Sequence, residues 1–279
     1  MTVLVAGSRE VDAGKTTFAM GLVSRLDALG VKPRAGNDYW YDHDLVSKRL
    51  GNGRLVGKDA GRLAAASVRD VRAEEINPVH RLWRPIPDGS GPILGREGSE
   101  FLVDRIEDTF VINGRTDLPE EVREGLPLDD AIQVESLAAF NELMADRHQP
   151  ALERFGREIS SVSPLVVESY ADIARPLRDL QVDAVAVVGA GRVRVFPGER
   201  FRRACEVASG SPGLGQLEER VADVTSLLEP AATETLPPLR SETRTDPIAV
   251  ASAYESAYRE LLEVAGDGRN THRRGEEHA

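Results

Sequence analysis

The sequence predicts an α/β fold built on a doubly wound, mostly parallel sheet, and three observations carry that expectation. An apolar, β-rich run at the N-terminus, Val3-Leu4-Val5-Ala6, ends in Gly7 and a polar turn. At Gly14-Lys15-Thr16-Thr17 the turn gives way to an amphipathic run from Phe18 to Leu29. Two later runs, Pro164-Leu165-Val166-Val167-Glu168 and Asp183-Ala184-Val185-Ala186-Val187-Val188, are continuously apolar, the pattern of parallel strands covered on both faces. Helical stretches separate the runs, as crossovers between parallel strands require.

Taken in order, residues 2–6 are the first strand and 16–29 the first helix, with Gly30 as its expected stop. The turn between them reads as a phosphate-binding loop. Backbone N–H groups from Asp12, Ala13, Gly14, Lys15, Thr16 and Thr17 would face phosphate oxygens, and the helix dipole favours negative charge there. Gly14 lets the backbone come close, Lys15 would reach the β- and γ-phosphates, and the Thr16 hydroxyl would ligate Mg²⁺. Six residues separate Gly7 from Gly14, where the usual loop has four before its Gly-Lys-Ser/Thr. The N–H groups that matter run from Asp12 to Thr17, so a longer loop still wraps a triphosphate. The alternative is a chance Gly-Lys-Thr at an ordinary strand-to-helix turn.

Val31 to Asp38 reads as a short second strand running into a polar loop. Tyr39 to Leu50 is dense in Tyr, Trp, His and Asp, a candidate substrate surface or a cover for the sheet edge. Residues 58–67 are helical by propensity. Ile76-Asn77-Pro78-Val79 and Arg84-Pro85-Ile86-Pro87 mark an extended, proline-punctuated segment. The runs Phe101–Ile106 and Thr109–Asn113 predict a small β-hairpin inside an insertion of about 88–130. Residues 134–161 return to helix, Pro197-Gly198-Glu199 opens another helix to about Ala208, and 210–216 and 229–247 read as connectors. A last helix spans Pro247–Val264. One domain over 1–265 and a disordered tail over 266–279 are expected.

Net charge is −11 and aromatic content 5%, which argues against a nucleic-acid partner held by phosphate contacts. Cys205 is the only cysteine, so no internal disulfide forms and a reducing, cytoplasmic setting is expected. No apolar run is long enough for a membrane span and no leader is visible. Of the 35 basic residues only Lys15, Lys32, Lys48 and Lys58 are lysines. Such an arginine-rich, acidic chain resembles proteins of salt-adapted organisms, and high-GC codon bias gives the same excess. A planar guanidinium does not replace a compact ammonium in a tight phosphate nest, and two of the four lysines fall where phosphate chemistry needs one.

Together the loop, Lys32-Pro33 and three later stretches resemble the dethiobiotin synthetase family of P-loop proteins and its relatives, the amide-forming cobyrinic acid synthases. They also resemble an archaeal group described as predicted P-loop ATPases or GTPases. That family's loop likewise exceeds the usual spacing and carries an acidic residue where Asp12 stands. Its second strand ends in a Lys-Pro, matched by Lys32-Pro33, whose lysine assists attack on the γ-phosphate. Its Asp-Ala helix, Asn-Pro strand and downstream proline are similar to Asp59-Ala60-Gly61-Arg62-Leu63, Ile76-Asn77-Pro78 and Arg84-Pro85. Its Val-Glu-Gly-Ala-Gly-Gly strand end is similar to Val167-Glu168-Ser169-Tyr170-Ala171. The resemblance implies that Asp59 and Glu168 contact Mg²⁺ together with Thr16. It covers residues 1–87 and 163–205, lacks the double glycine after Glu168 and the Asn-Asp that recognises adenine, and has no counterpart for the insertion.

Glu168 also stands by itself as a candidate, since a carboxylate ending a buried parallel strand would face the phosphate loop at the sheet's carboxyl edge. Its plainer reading is a capping or solvated residue; that of Asp59 is a helix N-cap, and that of Lys32 a solvated residue beside a proline. The expected chemistry is Mg²⁺-dependent binding and hydrolysis of ATP, with GTP as the alternative base. A variant transfers the γ-phosphoryl group to a small carboxylate-type metabolite, with Lys15 and Lys32 stabilising developing charge. The rival expectation is a nucleotide switch or assembly factor read by a protein partner, with Arg9 acting across a homodimer as one form. The resemblance implies dimerisation near the nucleotide. Three features are set aside: Gly189-Ala190-Gly191 reads as a two-glycine turn, His43 and His80 lack partners at metal spacing, and the arginines from Arg192 to Arg203 read as an anion grip or a solvated face.

Overall fold

The structure is a computed structural model describing residues 1–8, 13–86, 94–96, 98–208 and 219–276. Arg9, Asp12, residues 88–93 of the expected insertion and the 210–216 connector lie outside the described residues. In chain order the elements begin with β1 (Thr2–Gly7), α1 (Lys15–Leu26), β2 (Leu29–Val31), β3 (Arg34–Asp38), α2 (His43–Leu50) and α3 (Lys58–Ala66). Next come β4 (Val79–Pro85), β5 (Gly95–Arg96), β6 (Ser99–Ile106), β7 (Thr109–Asn113), α4 (Glu120–Gly125), β8 (Ile132–Val134) and α5 (Leu137–Leu143). A π-helical turn, Met144–His148, leads into α6 (Gln149–Ile159), β9 (Leu165–Glu168), β10 (Ala184–Gly189), β11 (Arg192–Pro197) and α7 (Gly198–Ala208). The chain ends with α8 (Val221–Ser226), β12 (Ala232–Thr235), α9 (Pro247–Ala253) and α10 (Glu255–Glu276).

This is an α/β chain with two mixed sheets, divided into two compact units: 1–33, 62–71 and 156–279 form one, 34–61 and 72–155 the other. The first unit's sheet runs β12-β11-β10-β1-β9-β2. Its four strands β10, β1, β9 and β2 are parallel, with Val3 opposite both Ala184 and Val166, and β11 and β12 add antiparallel pairs at one edge. Val3, Val5, Val166, Val167 and residues 184–187 are buried, as continuous apolar strands must be. The Ala190-Gly191 pair turns β10 back onto β11, so Gly189-Ala190-Gly191 is a hairpin turn, as its two glycines suggest.

Helix α1 is shorter than its apolar pattern implies. Asp27 adopts a left-handed conformation (φ 49°) and its N–H donates to the Val23 carbonyl, closing the helix before Gly30. Gly30 lies inside β2, where an added Cβ would meet Val23 Cγ2 at 2.8 Å and Leu63 Cδ2 at 3.2 Å. The glycine answers to close packing and not to a helix stop. The stretch read as one second strand is two, because Lys32-Pro33 links β2 in the first sheet to β3 in the other, and proline has no N–H with which to continue a ladder. The last helix also breaks, at Tyr254, and α10 runs through to Glu276, into the stretch expected to be a tail.

The second unit's sheet runs β3-β4-β6-β7-β8, with β5 also paired to β6. The hairpin expected in the insertion is there as β6 and β7, with Val103 opposite Ile112. It is larger than a lone hairpin, which would be marginal in water: the segment read as proline-punctuated chain is strand β4, antiparallel to β6. Val46, Leu50, Leu82, Leu102 and Val122 form one apolar cluster, and Val79, Phe101, Ile106, Val111 and Leu143 another. Among the described residues no helix is long and apolar enough to cross a membrane.

Candidate phosphate and cation site

Strand β1 ends at Gly7 at the carboxyl edge of the first sheet, and its parallel neighbour β9 ends at Glu168, opposite Val5. Gly14 is the residue before α1 and takes φ 83°, a left-handed conformation costly for any residue with a Cβ. Gly14 has no side chain with which to cap α1, and no acidic residue occupies the helix's first turn. The helix therefore presents an electropositive end. Ala13, just before Gly14, is buried, and Thr16 and Thr17 in the first turn are half-buried.

Three of the expected side chains converge on one carboxylate and its surroundings. Glu168 is fully buried, and its Oε1 lies 2.6 Å from Lys32 Nζ and accepts a hydrogen bond of 2.8 Å from Thr16 Oγ1. Lys32 is only 5% exposed, so Lys32–Glu168 is a buried ion pair and neither residue is a solvated one. Lys15, also buried, donates from Nζ to the backbone carbonyl of Ala171. That carbonyl is a contact of the candidate site that sequence reasoning missed. Ala171 has φ 44°, in the region that favours glycine, and its position falls where the resembled family has glycine.

The turn that holds Ala171 is anchored from several sides. Ser169 N–H donates to Val5 O at 2.9 Å, Ser169 Oγ donates to Ile173 O at 2.5 Å, and Ile173 N–H donates to Tyr170 O at 3.1 Å. Beyond it the chain pairs with 219–221: Ala174 N–H donates to Glu219 O, Val221 N–H to Asp172 O, and Arg220 forms an ion pair with Asp172. Asp59 stands half-buried in the first turn of α3, in the second unit.

Elsewhere the charged groups serve the fold. In the second unit the Asp104 carboxylate is fully buried, accepts from Arg81 Nε (2.6 Å) and Nη2 (2.5 Å), and lies 2.8 Å from His148 Nε2. Burial alone would raise its pKa, but the Arg81 guanidinium and the bonds from Arg81 and His148 hold the carboxyl well below the usual range. His148 belongs to the π-helical turn. Burial pushes the Cys205 thiol up to about 12, and Cys205 lines a small apolar cavity with Leu4, Val167 and Phe201, which suits a packing role. Arg202 and Arg203 pair with Glu206 and Glu199 along α7, the solvated-face arrangement.

The donor set fits the expected ligands. Among the described residues no three His, Cys, Asp or Glu side chains cluster as a metal cage, so a cation here would rest on a hydroxyl and a carboxylate plus phosphate and water oxygens. That is the habit of Mg²⁺. Comparison with protein-family models, curated proteins and solved structures gives no match for the chain.

Proposed function

We propose that the protein is a P-loop nucleotide-binding enzyme of dethiobiotin synthetase-like, doubly wound type, which binds Mg²⁺ with ATP, or GTP, and hydrolyses it or transfers its γ-phosphoryl group to a small carboxylate. The observation that carries the reading is the convergence of Thr16 and Lys32 on Glu168, beside the N-terminus of α1 where Lys15 stands. First-turn N–H groups of α1 and the Lys15 ammonium supply positive charge for the phosphates. Thr16 and Glu168 would hold Mg²⁺, which when bound neutralises charge on the phosphate oxygens. Lys32, already at the Glu168 carboxylate, is a second fixed cation for charge that develops on the transferring group. Lys15 and Lys32 are the catalytic candidates; Asp12, outside the described residues, remains a proposed phosphate-binding residue of the loop through its N–H, and Asp59 a proposed Mg²⁺ ligand by resemblance alone.

The experiment is a thermal-shift titration with ATP, GTP and non-hydrolysable analogues, with and without Mg²⁺, on the wild type and Lys15→Ala. A ligand that binds only the native state raises the melting temperature by mass action. The expected result is a Mg²⁺-dependent rise that Lys15→Ala abolishes and that chooses the base. No rise with any nucleotide at millimolar concentration would leave the loop a structural turn and end the proposal.

A further inference from the structure

The segment from Asp38 to His43 in the second unit carries two large aromatic side chains outside any core. Trp40 is 69% and Tyr41 77% exposed, and their rings stand at 87° with centroids 5.0 Å apart. The backbone beneath them is heavily tied. Asp38 Oδ1 accepts the N–H groups of Trp40 (2.8 Å) and Tyr41 (3.0 Å), and Asp42 Oδ2 accepts from Asn37 Nδ2 (2.7 Å). The Asp42 N–H donates to the Asp38 carbonyl at 2.9 Å, and the Asp42 carbonyl accepts the first bonds of α2 from Leu45 and Val46. Tyr39 pins the same turn from below. Its N–H donates to Trp83 O at 2.7 Å, its hydroxyl donates to Glu121 at 3.2 Å, and its ring meets the His43 ring at 5.1 Å.

We infer that Trp40 and Tyr41 form a rigid aromatic corner that docks an arginine side chain of a protein partner. Large rings that are held outward, where folding could bury roughly 150–250 Å² of each, mark contact surfaces. The charge around them selects the partner. Between residues 38 and 47 the chain carries Asp38, Asp42 and Asp44 and no lysine or arginine, and the next cations, Lys48 and Arg49, stand in the last turn of α2. Arg84, the cation that acts on Tyr39, is engaged by Glu100 at 2.5 Å and by Thr116. One oxygen of each carboxylate, Asp38 Oδ1 and Asp42 Oδ2, already accepts bonds from the turn itself. What the corner offers a ligand is ring faces in a negative field, which suits a cation and repels phosphate. A guanidinium fits better than an ammonium, being planar, weakly hydrated and able to stack on one ring while meeting the other. Because the backbone of the turn is already ordered, docking costs little further backbone entropy.

The test is fluorescence anisotropy of short labelled peptides of alternating glycine and arginine, glycine and lysine, or glycine and glutamate, titrated with the full chain at low salt. The arginine peptide should bind saturably and about fivefold or more tighter than the lysine peptide, and the glutamate peptide should not bind. Trp40→Ala/Tyr41→Ala should weaken the arginine peptide about tenfold, two exposed cation–π contacts being lost together, with the melting temperature unchanged. Three results overturn the inference: no binding, equal binding of lysine and arginine peptides, or equal affinity in the double variant. Sedimentation supplies a fourth. A wild type that self-associates through this corner, while the double variant does not, makes a second copy of the chain the occupant.

Discussion

Replacing Lys32 by methionine keeps most of the side chain's length and removes its charge, which isolates the ion pair at the centre of the candidate site. The pair is buried on both sides, Lys32 at 5% exposure and Glu168 at 0%, with 2.6 Å between Nζ and Oε1. Removing one member of such a pair leaves a desolvated charge and costs about 3–5 kcal/mol. Replacing both, as in Lys32→Met/Glu168→Met, removes the desolvation penalty as well and should return stability to within about 2 kcal/mol of wild type. Against a total of roughly 5–15 kcal/mol for a folded chain, the single variant is a large loss. The assay is urea unfolding by far-UV circular dichroism at neutral pH without nucleotide. Intrinsic fluorescence is the wrong probe, because Trp40 and Trp83 both lie in the second unit. With a slope of about 3 kcal/mol per molar urea, the midpoint of Lys32→Met should fall by roughly 1–2 M. If Thr16 and Glu168 are cation donors, Mg²⁺ alone should recover part of that loss in Lys32→Met and shift the wild type less. A single variant within about 1 kcal/mol of wild type, or a double variant as unstable as the single, would refute the reasoning.

Two further predictions concern groups away from that pair. Asp104→Asn leaves Arg81 and His148 facing a neutral amide and should cost about 3 kcal/mol or more at pH 7; because the folded carboxyl is held below its ordinary value, its contribution is full above about pH 5 and declines as pH falls through the unfolded value of about 3.9 toward the folded one. Urea midpoints by tryptophan fluorescence should therefore converge for wild type and variant below pH 4, and a constant gap down to pH 3 would contradict this. Ala171→Gly relieves a left-handed alanine and should raise stability by about 0.5–1 kcal/mol after the entropy glycine adds to the unfolded chain, whereas Ala171→Val should lower it; calorimetric melting temperatures in the reverse order would show that the turn is unstrained.

Much of the first unit was legible because its signals are local. Continuous apolar runs fixed β1, β9 and β10, and the end of a buried strand picked out Glu168. Features that failed were those where packing overrides a local cue. Gly30 carries the residue type of a helix stop, yet Val23 and Leu63 are what require it, and Asp27 ends α1 in a conformation aspartate only tolerates. Pro33 looked like punctuation inside one strand, but it divides two sheets. The Ala171 carbonyl had no signal at all, since any residue has one and only the fold aims it at Lys15. Likewise nothing near Arg81, Asp104 or His148 in sequence announces that they meet, 23 and 44 positions from Asp104. Asp59 and Lys32 came from resemblance. For Lys32 the structure adds a buried ion pair with Glu168.

The scarcity of lysine has a practical side. Lys48 and Lys58 are exposed in the second unit, while Lys15 and Lys32 are buried at the candidate site of the first. An amine-reactive reagent thus meets two populations in one chain: a pair of side chains labelled at the rate of free amines, which calibrates the reaction, and a pair labelled only when the site opens. The ratio of the two rates, read by peptide mass, is a footprint of site opening that needs no engineered label and no knowledge of the substrate.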